Sequence, residues 1–154
     1  MESNRVKAFL EDHAVKNVII RHSPAFTASE VAASTHIAER DFAKTIVVFI
    51  DGEPAMVVLP ANRRIALHEL RELLEPAAVR LATESELHAM FPDCEVGAMP
   101  PFGNLYNIPV YVAPALARET TIAFNAGTHT EIIQFPYAEF EQLVMPRPID
   151  FVAV

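Results

Sequence analysis

Three short segments carry the residue types from which a reactive site could be built. Lys44 opens the run Lys44-Thr45-Ile46-Val47-Val48-Phe49-Ile50. A strand there puts Lys44 on one face with Ile46, Val48 and Ile50. Its ammonium then either aims into a cleft at the mouth of an apolar stripe or snorkels past its neighbours into water. The second segment is Gly97-Ala98-Met99-Pro100-Pro101-Phe102-Gly103. Proline fixes φ and removes donors, whereas glycine lets a backbone amide approach a ligand closely. Such a loop could hold N–H groups in a fixed array for an oxyanion or a carbonyl. The same composition also suits a tight connection between a helix and a strand. The third segment is Ala126-Gly127-Thr128-His129-Thr130-Glu131, a glycine turn between two strands. His129 could position a substrate or shuttle a proton, and an ordinary surface-turn histidine would have the same spacing. Asp93 and Glu95 flank Cys94 just outside the glycine loop and read as solvated. Cys94 reads as a small core residue.

Several chemistries lack their residues. The histidines at 13, 22, 36, 68, 88 and 129 include no i, i+4 pair, and one cysteine cannot build a structural zinc site. There is no nucleophile elbow, no P-loop and no dinucleotide fingerprint. No metal or cofactor is therefore expected. The net charge of −8, with Arg63-Arg64 the only adjacent basic pair, argues against DNA or any long grip on nucleic acid. RNA, if met at all, would be touched only at a terminal nucleotide. No apolar run approaches a bilayer span, the start is not a secretory signal, and a lone cysteine makes the cytoplasm the default location.

The elements that must position these residues follow from periodicity. Residues 2–14 read as a helix with Val6, Phe9, Leu10 and Ala14 on one face. Asn17–His22 reads as a short buried strand. Thr27 with Glu30, and Thr83 with Glu86, have capping-box spacing and start helices running through Ala33 and to about Phe91. Thr45–Ile50 and Ala55–Leu59 form a hairpin about Asp51-Gly52, ended by Pro60. Ala66–Leu74 is a helix closed by Pro76, and 92–104 is a loop. Strands follow at Val110–Ala113, Thr121–Phe124 and Glu131–Phe135, then a helix over 137–144 and a tail returning through Pro146 and Pro148. The expected fold is α+β (mixed α/β), a central, mostly antiparallel sheet surrounded by helices, with residues 1–154 as one domain.

Four segments in this order resemble the YbaK/ProX-type aminoacyl-tRNA deacylases, which are similar to the editing domain of bacterial prolyl-tRNA synthetase. They are His22-Ser23-Pro24-Ala25-Phe26-Thr27-Ala28-Ser29-Glu30, Ala43-Lys44-Thr45, the 97–103 loop, and Phe124-Asn125-Ala126-Gly127-Thr128-His129-Thr130. The resemblance runs from about residue 5 to 147. It implies metal-independent trans-editing, the hydrolysis of the ester joining a wrong, small amino acid to the tRNA 3′ end, with a synthetase as a candidate partner. It implies that Lys44 is the family's functional lysine, that Gly97–Pro101 is its G-x-x-x-P loop, and that His129 matches a pocket histidine of some members. The catalytic set so expected is Lys44, Gly97 and Gly103, with Lys44 and the loop bordering one pocket. Substrate contacts are expected from His22, Thr27 and Thr45. They are also expected from Ala98, Met99, Pro100, Pro101 and Phe102, and from Gly127, Thr128 and His129. Thr45 follows the lysine at a position that varies among subgroups, so the resemblance does not specify the amino acid removed. A non-catalytic module of the same fold, binding a synthetase or a small ligand, is the alternative.

Overall fold

The computed structural model describes residues 5–74, 78–150 and 152–153; Pro76 and the first positions of the expected N-terminal helix lie outside them. The helices are α1 (Arg5–Asp12), α2 (Ala28–Thr35), α3 (Leu67–Leu74), α4 (Glu84–Met90), α5 (Pro114–Ala117) and α6 (Tyr137–Val144). Both expected capping boxes form, at Thr27 with Glu30 and at Thr83 with Glu86, satisfying amides that a helix start leaves without partners.

The strands fall into two sheets and a ribbon. β2 (Ala43–Ile50) and β3 (Glu53–Pro60) make the expected hairpin, Ala43 opposite Pro60 through Ile50 opposite Glu53. Its turn uses Asp51 at φ 49 and Gly52 at φ 85, the left-handed pair a two-residue hairpin requires. Around it the order is β5-β2-β3-β6-β9, adding β5 (Val79–Leu81), β6 (Val110–Val112) and β9 (Arg147–Pro148). β6 runs parallel to both β3 and β9. The second sheet is antiparallel, order β1-β8-β7, from β1 (Val18–Arg21), β7 (Thr121–Asn125) and β8 (Glu131–Pro136). β4 (Arg64–Ile65) pairs with β10 (Val152–Ala153). The α+β class and the prevailing antiparallel pairing are those the periodicity predicts.

Three differences are informative. Asn17–His22 was expected to be buried, but β1 is a sheet edge with Val18 57% and Ile19 40% exposed. Periodicity alone does not distinguish a short apolar edge strand from a core strand. β5 and β9 are too short to show a period. Pro148 fits β9 because an edge strand tolerates a residue that cannot donate to the ladder.

The main core lies between the two sheets. Val47, Met56 and Val58 of one meet Phe124, Ile133 and Phe135 of the other, sealed by Val6 and Leu10 of α1 and Phe140 of α6. α3 covers the outer face of the larger sheet through Leu70, against Val48, Val57 and Leu59. α2 covers the smaller sheet through Val31 and Ala32, against Phe42, Ala123 and Ile132. A parallel bridge, Phe42 to Ala123, joins the two sheets at the start of β2. That bridge positions the site.

Candidate active site

β2 and β7 leave the Phe42–Ala123 bridge side by side, and two residues further along they carry Lys44 and Asn125. Strand alternation puts Lys44 on the Phe42 side. Lys44 is half-buried and makes no ion pair among the described residues. Burial pushes its pKa below the ordinary value, and Glu39 pulls it part of the way back. Thr45 points to the other side, the side of Ala43 and Val47. Its Oγ1 is buried without a hydrogen-bond partner among the described residues.

The glycine loop and the histidine turn are stitched together. The Glu95 amide donates to the Gly127 carbonyl at 2.8 Å, and the Gly127 amide returns the bond to the Ala98 carbonyl at 2.9 Å. Glu95 Oε1 accepts the His129 amide at 2.5 Å. The His129 ring lies 2.9 Å from the Val96 carbonyl through Nε2. A carbonyl can only accept, so Nε2 carries the proton and neutral His129 presents a bare Nδ1. That nitrogen is buried without a partner among the described residues. Glu95, read as solvated from its spacing, is the anchor of the turn. Its role was hidden because its partner is a backbone amide 34 residues away. Asp93 is also tied down, by the phenol of Tyr106 at 3.0 Å and by Arg5 at 3.4 Å.

Gly97 has φ 88 and faces the histidine: a Cβ there would stand 3.6 Å from His129 Cε1. The Ala98 amide is taken by the Glu95 carbonyl at 3.0 Å. The amides of Gly97 and Met99 have no acceptor among the described residues.

The rest of the loop does structural work. Phe102 is fully buried, its ring 5.3 Å from Phe124 within an aromatic cluster that includes Phe9, Phe135 and Phe140. Met99 packs in the same core, and Pro100 and Pro101 are buried. Gly103 is glycine for packing. A Cβ would lie 2.3 Å from the Ile108 carbonyl oxygen, and the Gly103 carbonyl is occupied by the amides of Tyr106 and Ile108. Phe102 and Gly103, expected at the substrate, thus belong to the core under the loop. An apolar residue after two prolines reads the same whether it lines a pocket or supports one.

His22 closes β1 against the turn, its amide on the Thr130 carbonyl at 2.8 Å. Its Nδ1 meets the Ser23 carbonyl at 2.8 Å, so Nε2 is the bare nitrogen, again buried and unpartnered among the described residues. Thr27 spends its hydroxyl on the Glu30 amide at 3.1 Å as a helix cap. Thr128 and Thr130 face each other at 3.3 Å. Asn125 carries no signal in the sequence, yet its Oδ1 is a further buried acceptor without a donor among the described residues. One end of the smaller sheet therefore gathers three vacant acceptors: His22 Nε2, Asn125 Oδ1 and His129 Nδ1. The bridge brings the desolvated Lys44 and Asn125 onto neighbouring strands, and Gly97, whose amide is unused, faces His129. Leaving buried polar groups unpaired costs about 1–3 kcal/mol each, which makes this end a place for a donor-rich ligand. Among the described residues no group of three or more His, Cys, Asp or Glu side chains could hold a metal ion. Among them, too, no helix is long and apolar enough to cross a membrane.

Comparison with known proteins identifies the family and the fold. The aminoacyl-tRNA editing domain family matches residues 22–143. No curated protein matches the chain significantly. Among solved structures, the chain is similar to hypothetical protein APE2540, at 22% identity and TM-score 0.86 over 97% of this chain and 99% of that one. It is similar to a "putative trans-editing enzyme for prolyl tRNA synthetase" at 21% identity and TM-score 0.83, over 98% and 96%. It also resembles part of a "putative signal transduction protein" from Marinobacter aquaeolei VT8, at 17% identity and TM-score 0.77, over 97% of this chain and 30% of that one. At these identities the likeness shows the fold.

Proposed function

We propose that this chain, which belongs to the aminoacyl-tRNA editing domain family, hydrolyses the ester of a small amino acid on the 3′ end of a mischarged tRNA, acting in trans. The observation that carries the reading is the gathering of vacant acceptors with unused donors. The charged end of a tRNA brings an α-ammonium and a ribose hydroxyl, both donors, and an ester carbonyl, an acceptor. His22 Nε2, Asn125 Oδ1 and His129 Nδ1 suit the first two, and the amides of Gly97 and Met99 suit the third.

In the proposed reaction a water oxygen bonds to the ester carbonyl carbon, the bond to the ribose oxygen breaks, and the water's proton ends on that ribose oxygen. His129 Nδ1 holds the water or the ribose hydroxyl in place. The Gly97 and Met99 amides stabilise the oxyanion, an effect of about 2.7–4 kcal/mol per donor in well-studied cases. Lys44 holds the terminal phosphate or polarises the carbonyl as a point charge. The ester is already activated, so orientation supplies much of the remaining acceleration. Smallness of the amino acid is supported by the closed surroundings of His129, between the stitched loop and the Phe26 ring, 4.8 Å away. An apolar synthetase pocket discriminates by only about 1–3 kcal/mol per methylene, which gives such an activity its purpose. Action in the cytoplasm, without DNA and with a synthetase delivering the tRNA, accords with the acidic surface and is part of the proposal.

The test is deacylation across a panel of charged tRNAs. Turnover of one small mischarged residue, unchanged by a chelator once the tRNA is folded, is the expected result. A panel with no turnover, with or without a synthetase, would leave a non-catalytic module of the same fold. Activity lost on chelation and restored by one divalent ion would remove the metal-independent mechanism.

A further inference from the structure

Phe26 is an exposed large aromatic, whereas the other aromatics among the described residues are buried wholly or in part. Its side chain is 69% exposed, while Val31, four positions into α2, is buried. The residue before a helix cap commonly folds back over that fourth position as a hydrophobic staple. Here the staple stays open and the ring turns to His129, with centroids 4.8 Å apart and planes inclined by 53°. The backbone that carries the ring is held in place. The Phe26 amide donates to Glu30 Oε1 at 3.3 Å, and the neighbouring Ala25 amide donates to the His129 carbonyl at 3.1 Å. One side of the ring is thus backed by the candidate active site and the rest faces outward.

We propose that Phe26 is the stacking platform for the terminal base of the charged RNA, a binding subsite that rests on the deacylase reading above. An unpaired terminal base offers a π-face, and proteins recognise single-stranded ends by laying such bases on aromatic rings. The charge balance makes this contact necessary. At a net charge of −8 the chain has little to offer the phosphate backbone. Apart from Lys44, the nearby cations Arg21 and Lys7 are committed: Arg21 pairs with Glu131 at 3.2 Å, and Lys7 with the same carboxylate. Uncharged stacking beside His129 supplies affinity where the reacting ester must lie and fixes the nucleotide's register on the histidine.

The chain has no tryptophan, so Phe26→Trp installs a single fluorescent reporter. The probe is the amide analogue of 3′-aminoacyl-adenosine, which cannot be hydrolysed, set beside the same aminoacyl ribose lacking the base. Saturable quenching by the first and not by the second is expected. Phe26→Ala should raise KM for charged tRNA roughly 5- to 150-fold, the span of stacking on one base, with kcat within about twofold. Phe26→Tyr should restore KM. Equal quenching by both probes, or a wild-type KM in Phe26→Ala, would overturn the proposal, including in favour of a protein partner on this ring. A wild-type protein inactive on every tRNA would refute the deacylase reading, while the fluorescence result would still decide the fate of the base platform.

Discussion

Helices α2 and α4 start alike and end in different company. At α4, Arg80 grips Glu86 through two N–H groups at 2.8 Å each and lays its guanidinium 4.5 Å from the centre of the Phe49 ring. The aromatic is covered and the capping carboxylate is neutralised. At α2, Glu30 has no cation among the described residues. It takes the amides of Phe26 and Thr27, and the aromatic before it stays open beside His129. The same local device therefore builds a sealed structural corner in one place and an open rim in the other. Capping chemistry is local, and so is the Arg80 cation six residues before Glu86, whereas the ring it covers, Phe49, arrives from a different strand, β2.

The largest break in this comparison should come from Lys44→Ala, at the open end. Loss of at least tenfold in kcat/KM, about 1.4 kcal/mol of transition-state stabilisation, is expected. The fold should stay within about 1 kcal/mol, since truncation opens little core and removes a cation that burial already disfavours. Lys44→Arg should rescue only in part, because its charge is differently shaped. Arg80→Ala, at the sealed end, should leave turnover untouched. A folded alanine variant at the wild-type rate would take Lys44 out of the mechanism. Next comes Glu95→Ala, which frees the His129 turn: kcat should fall about fivefold, near 1 kcal/mol, the net worth of one hydrogen bond. Glu95→Gln should rescue it because the amide oxygen accepts the same bond. Failure of that rescue would mean the carboxylate's charge matters.

Thr27→Ala and Thr83→Ala should each cost about 0.5–2 kcal/mol of stability in denaturant unfolding. Only Thr27→Ala should also raise KM; a matching rise in Thr83→Ala would erase the distinction between the two ends. The smallest effect concerns acid. Arg80, and then the Thr83 amide, pull the Glu86 pKa from its ordinary 4.5 to about 2. A carboxylate depressed in the folded state stabilises above its unfolded value, and that stabilisation fades as pH falls from about 4.5 towards 2. Glu86→Gln should flatten this limb of the stability profile slightly, the pair being on the surface. A limb identical to wild type would show that Glu86 is not linked to folding.

Much of the fold was legible because its signals are local. Thr27 with Glu30, Thr83 with Glu86, and Asp51-Gly52 each name their structure within four residues. The site was legible as segments and not as geometry. Lys44, Gly97 and His129 stood out by type and spacing. Glu95, Asn125 and Phe26 did not, since their roles depend on what the turn, the bridge and the open staple bring beside them. Phe102 and Gly103 were misplaced for the converse reason: a loop has an inside, and sequence does not show which of its residues face in.

The order in which the chain is made bears on when the protein can act. β1 is synthesised early, yet its ladder partner β8 comes near the far end, Val18 opposite Gln134. β3 likewise waits for β6. The glycine loop precedes β6, and its stitching partner Gly127 follows later still. Pairings so distant give a high contact order and slow, cooperative folding. A nascent chain therefore passes through no half-built site: until β8 has emerged from the ribosome, β1 and β7 lack the strand that lies between them.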